Sequence, residues 1–126
     1  MSEESAIGSI GWHDLTVENA EDMREFYSRV VGWESSPVDM GGYSDFSLGA
    51  AGGETIAGVC HARGSNQGLP AQWLMYVTVE DADESARRCE QLGGKVLVGP
   101  KAFGEARYCV IEDPAGAVMA LYSEKS

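Results

Sequence analysis

The sequence predicts an α+β fold built from two βαβββ halves. Three observations predict it. The chain repeats itself at a fixed offset, its apolar spacing switches between strand and helix periods in the same order in each half, and glycine or Asx residues stand at the switches.

The repeat appears when the chain is shifted by 62 residues, the distance from Thr16 to Thr78. Thr16-Val17-Glu18-Asn19-Ala20 then lies on Thr78-Val79-Glu80-Asp81-Ala82. The same shift puts Phe46 on Tyr108, Leu48 on Val110, Ile56 on Val118, Gly58 on Ala120 and Val59 on Leu121. Two copies fill the 126 residues, with repeat halves of roughly 8–62 and 70–124 in one domain.

Each half then reads in the same order. Ile10 to Val17 alternates as a strand does, and Asn19 is placed to cap a helix, with Asp22 three residues on. Met23, Phe26, Tyr27, Val30 and Val31 recur at helical spacing until Gly32 ends the helix. Glu34–Val38, Tyr43–Leu48 and Thr55–Cys60 are short strands parted by glycines. In the second half, Trp73–Val79 is a strand, and Asp81 with Glu84 forms a capping box. Ala82, Ala86, Cys89 and Leu92 make the buried stripe of the helix that follows, and Gly93-Gly94 stops it. Lys95–Val98, Arg107–Ile111 and Ala117–Tyr122 complete the set, the last two joined by the turn Asp113-Pro114-Ala115-Gly116. Arg63 to Gly68 reads as a mobile linker between the halves.

Composition narrows the function. Nine Lys and Arg against 20 Asp and Glu give a formal charge of −11. A nucleic-acid groove needs clustered cations, and an anionic membrane surface repels such a chain, so neither partner is expected. Acidity favours a cationic or neutral guest over an anion. Cys60, Cys89 and Cys109 are odd in number and form no CxxC pair, which points to free thiols in a reducing compartment. The first residues lack the basic and apolar regions of a signal peptide, and no apolar run reaches membrane-spanning length, so a cytoplasmic location is expected.

Several of these segments resemble the vicinal oxygen chelate superfamily, which includes glyoxalase I, extradiol dioxygenases and bleomycin-resistance proteins. Phe26-Tyr27 followed by Val31-Gly32-Trp33 looks like its "FYxxxLGW" segment. Asp113-Pro114-Ala115-Gly116 looks like its "DPxG" turn, and Leu92-Gly93-Gly94 like its second helix end. The likeness covers nearly the whole chain and is greatest to metal-poor, glyoxalase-like domains. It implies a curved eight-stranded mixed sheet enclosing a cup, with the helices on the outer face, and commonly a homodimer.

In the metal-using members one ligand, His or Glu, comes from the first and the last strand of each half. Matching the motifs puts Trp12, Leu74, Gly58 and Ala120 at those positions. None of the four carries a donor that a divalent ion takes, so no metal or other cofactor is expected. The only histidines are His13 and His61. His13 shares its face with Leu15 and Val17, away from the cup, and His61 ends a strand at the rim.

Alternation points Trp12, Asp14 and Thr16 into the cup from one half, and Leu74, Tyr76 and Thr78 from the other. The last strands add Ile56, Gly58, Cys60, Val118, Ala120 and Tyr122, with the small residues Gly58 and Ala120 leaving volume for a guest. Trp12 and Tyr76 offer flat surfaces for a planar or cationic molecule, Asp14 orients it, and Arg107 is the opposite charge. Cys60 and His61 are neighbours on a strand and point to opposite faces, so they do not form a nucleophile–base pair. The reading that follows is a small-molecule-binding protein of glyoxalase and bleomycin-resistance type, binding in a metal-free pocket. Its rivals are a metal-dependent lyase, isomerase or dioxygenase with relocated ligands, and a non-catalytic dimeric interaction module.

Overall fold

The computed structural model describes residues 6–124. It contains eight strands and two helices in an open, mixed α+β arrangement, in the order β1 (Ile10–Val17), α1 (Ala20–Val31), β2 (Glu34–Asp39), β3 (Ser44–Gly49), β4 (Thr55–His61), β5 (Trp73–Thr78), α2 (Ala82–Gln91), β6 (Lys95–Phe103), β7 (Ala106–Glu112) and β8 (Val118–Ser123). The described residues divide into two compact units, one of residues 13–73 and the other of 6–12 with 74–124. Each holds one helix and one run of four strands.

In the first unit the strand order is β2-β3-β4-β1. β1 lies parallel to β4, and β4 and β2 run antiparallel to β3. Helix α1 covers one face of this sheet. Ala20, Phe46, Leu48, Ala57 and Val59 form the core there, with Val17, Met23, Trp33 and Trp73 packed against it. Trp73 donates its indole N–H to the Tyr27 hydroxyl at 3.2 Å, which satisfies the polar end of a half-buried ring. Gly32 ends α1 at φ 88°, and its N–H reaches the Ser28 carbonyl.

In the second unit the order is β5-β8-β7-β6, with β5 parallel to β8 and the remaining pairs antiparallel. Ala86, Cys109 and Leu121 form the core under α2, supported by Val77, Val96, Ile111 and Met119. The Asp113–Ala117 turn closes as expected. The Asp113 N–H reaches the Ala117 carbonyl at 2.8 Å, and its carboxylate accepts from the Ala115 and Ala117 N–H groups.

Four sequence expectations differ at this level. Asn19 makes no side-chain cap bond, whereas Asp81 accepts from the Asp83 and Glu84 N–H groups. Glu84 does not reach back to complete a capping box; it pairs with Arg87 and Arg88 down the helix. Phe26, Val30 and Leu92 stand largely exposed rather than in the helix stripes, because each sheet is covered by a narrower strip of its helix than the apolar spacing offers. The segment after Arg63 is a short 3-10 turn, Gly64–Asn66.

Candidate functional site

The repeat places equivalent strands in both units, but its offset slips by one residue at the third strand. Phe46 pairs with Val59 in the first unit, whereas Cys109 pairs with Leu121 in the second. Val59 and Leu121 are 62 residues apart, so the structural partner of Phe46 is Cys109, not Tyr108. Side chains alternate faces along a strand, so a slip of one residue turns every side chain over. Asp45 and Tyr108 are therefore the residues that share the helix-free face, in the first and second unit respectively.

On the first unit's helix-free face, Asp14 stands opposite Gly58, and Gly58 opposite Ser47. The next row holds Thr16 opposite Cys60. A Cβ built on Gly58 would lie 2.5 Å from the Asp14 carboxylate. The space at Gly58 is thus taken by that carboxylate rather than left open. Asp14 and Asp45 both lie close to the Cys60 thiol. Burial, followed by the charges of these two aspartates, pushes that thiol well above its ordinary range. A thiol held protonated in this way is not a nucleophile.

On the second unit's helix-free face, Tyr76 stands opposite Ala120, which is fully buried, and Ala120 opposite Val110. The next row runs Thr78, Tyr122, Tyr108 and Lys101. Phe103 meets Tyr108 edge to face at 6.0 Å, and the Lys101 ammonium lies 5.9 Å from the Tyr108 ring centre. Leu74 is 1% exposed and packs on this side as core. Tyr76, Tyr108 and Tyr122 are half-buried, so each presents part of its ring.

Arg107 does not join either group. It pairs with Ser123 in the ladder and turns to the helix side, where its guanidinium meets the Asp83 carboxylate at 2.9 and 3.3 Å. The expected counter-charge to Asp14 is therefore committed to α2. The guanidinium lowers the Asp83 carboxyl below its ordinary range, and the pairing raises the Arg107 value in turn. Trp12 is half-buried and His13 exposed on β1. His61 ends β4, where both its backbone N–H and its Nδ1 meet the Asp45 carboxylate, at 2.9 and 3.1 Å. Cys109 is fully buried under α2, and burial pushes its thiol up to about 11.

Trp12, Leu74, Gly58 and Ala120 offer no carboxylate, imidazole or thiolate, and a divalent ion has no donor at any of them. The nearest carboxylate is Asp14, seated over Gly58. Among the described residues, no group of three or more His, Cys, Asp or Glu side chains is gathered as a metal site requires. The donor set at those positions does not fit a metal.

Comparison with known proteins places this arrangement. The model of the glyoxalase-like domain matches residues 13–122. The chain belongs to the glyoxalase-like domain family. Within the vicinal oxygen chelate superfamily, this glyoxalase-like chain is 32% identical to the anthracycline biosynthesis protein DnrV of Streptomyces peucetius, over 93% of the chain and 47% of that protein. It is 30% identical to the putative glyoxylase CFP32 of Mycobacterium bovis, over 91% of the chain and 45% of that protein. The chain thus spans about half the length of the curated relatives it matches. The same fold occurs in methylmalonyl-CoA epimerase from Mycobacterium tuberculosis, with TM-score 0.55, 16% identity, and 100% and 94% of the two chains covered. It also occurs in a hypothetical protein of Bacillus halodurans, with TM-score 0.60, 14% identity, and 94% and 96% covered.

The sequence reading missed Tyr108 and Asp45 because it drew the cup from the first and last strands of each half only. Cys109 and Val110 are neighbours and both buried, so only strand pairing fixes which parity of β7 faces the helix.

Proposed function

We propose that this glyoxalase-like chain binds a small planar organic molecule, without a metal, on the helix-free face of its second unit. The single observation that carries the reading is the set of three half-buried tyrosines, Tyr76, Tyr108 and Tyr122, in neighbouring register positions on the second unit's helix-free face. A tyrosine ring offers rigid contact area at low entropic cost, and stacked or edge contacts add about 0.5–1.5 kcal/mol per ring beyond area burial. Trp12 at the start of β1 adds a further aromatic ring in the same unit. Thr78, 5% exposed, ends the row of Tyr122 and Tyr108. A relative named for anthracycline biosynthesis supports the choice of a flat polycyclic guest.

Fluorescence titration with an anthracycline tests the reading. Saturable binding is expected, with Tyr76→Ala and Tyr108→Ala each weakening it by about fivefold, the equivalent of roughly 1 kcal/mol. Affinity unchanged in both variants, or no saturation by any planar guest, would sink it. Elemental mass spectrometry on untagged protein is expected to find transition metals at background. One equivalent per chain would favour a metal-dependent enzyme with relocated ligands.

A further inference from the structure

A second cluster of polar and aromatic side chains lies in the first unit, at the end of β4. The protein carries only nine Lys and Arg and a formal charge of −11, yet two guanidiniums and one of its two histidines gather here. Arg24 of α1 lies over the Phe46 ring at 4.8 Å, and Arg63 lies over the Tyr43 ring at 3.8 Å. His61 stands between the two rings, 5.4 Å from Tyr43 and 6.4 Å from Phe46. Asp45 holds Nδ1 and the backbone N–H of His61 and offsets one positive charge, which leaves Nε2 for another partner.

The decisive detail is Arg24 Nε. It is one of two buried side-chain polar atoms among the described residues that have no hydrogen-bond partner. A buried guanidinium N–H without an acceptor is costly, and the acceptor that matches it best is an oxyanion. The Arg24 guanidinium lies over the Phe46 ring, a contact that does not satisfy this donor.

We infer that Arg24, His61 and Arg63 form a binding site for a small oxyanion, the phosphate or carboxylate group of a metabolite. The site draws on Arg24, His61 and Arg63 of the first unit, whereas the tyrosines of the planar-guest reading belong to the second. It runs against the charge of the whole protein, so its selectivity comes from local donors and not from long-range attraction.

The test is a titration of isotope-labelled protein with inorganic phosphate, followed by amide chemical shifts, against sodium chloride at matched ionic strength. Saturating shifts at Tyr43, His61 and Arg63 with phosphate but not chloride are expected. Arg24→Gln and Arg63→Gln should each weaken binding by about tenfold, as loss of a charge-assisted hydrogen bond does. Arg63 is exposed, so its variant keeps the test decisive if Arg24→Gln loses the fold. A parallel titration with acetate separates the sources: saturation by both anions assigns a carboxylate-tolerant site, and saturation by phosphate alone assigns a phosphate site. Linear, non-saturating shifts, shifts equal to those of chloride, or undiminished affinity in Arg63→Gln would overturn the inference.

Discussion

Asp14 and Gly58 are coupled by a single close approach. The Asp14 carboxylate occupies the space that a side chain at position 58 would need, at 2.5 Å from the Cβ position. Adding a methyl group there forces the carboxylate aside. Gly58→Ala is expected to cost about 1–3 kcal/mol by urea denaturation, in the range of overpacking substitutions. In an Asp14→Ala background the same change should cost far less, because the obstructing atom is gone. Equal costs in both backgrounds would mean that strain at Gly58 has another source. The Cys60 thiol belongs to the same neighbourhood. Burial and the two aspartates disfavour its thiolate, so it should react with iodoacetamide at pH 8 much more slowly in the native protein than in urea. Peptide mapping by mass spectrometry measures this directly.

At the scale of elements, the two helices begin alike in sequence and differently in structure. Asp81 caps α2 with two accepted N–H bonds, whereas Asn19 caps nothing with its side chain. Asp81→Ala should therefore destabilise by about 1 kcal/mol, and Asn19→Ala by much less, in thermal or urea unfolding. Helix α2 is further tied to β7 by Asp83 and Arg107. Asp83 has a folded value below its unfolded one. The stability it contributes is present above the unfolded value near 3.8 and is lost as pH falls through the folded value. Arg107→Gln should flatten the acid limb of a stability–pH profile below about pH 4, while leaving its slope near neutrality unchanged. The pair is partly solvated, so the effect is that of a screened surface bridge.

Among the described residues, large apolar side chains stand exposed on both units. Phe26 and Val30 share one face of α1, and Leu92 and Phe103 stand out of the second unit at 78% and 66% exposure. Residues of this kind are candidates for burial between copies, and we propose that the chain is a homodimer. Sedimentation velocity is expected to give twice the 13.5 kDa chain mass. A monomer at all concentrations would leave those residues to a different partner. No described helix is long and apolar enough to cross a membrane.

The sequence by itself determined the order of elements, the helix ends at Gly32 and Gly93, the cap at Asp81 and the turn at Asp113. These are local: capping, glycine geometry and apolar period act within a few residues. It also exposed the family, because repeated motifs in fixed order survive without any knowledge of contacts. Tertiary structure alone decided which parity of β7 faces α2, that Arg107 answers Asp83, and that Asp14 fills the space over Gly58. Strand faces reverse with a slip of one residue, and the pairing that sets the slip joins residues far apart in the chain. A guanidinium on such a strand therefore takes its partner from the side the register assigns it. The cluster at Arg24, His61 and Arg63 has the same origin. Its members are spread over 40 residues of sequence, and no local pattern announces that Phe46 and Tyr43 will bring them together.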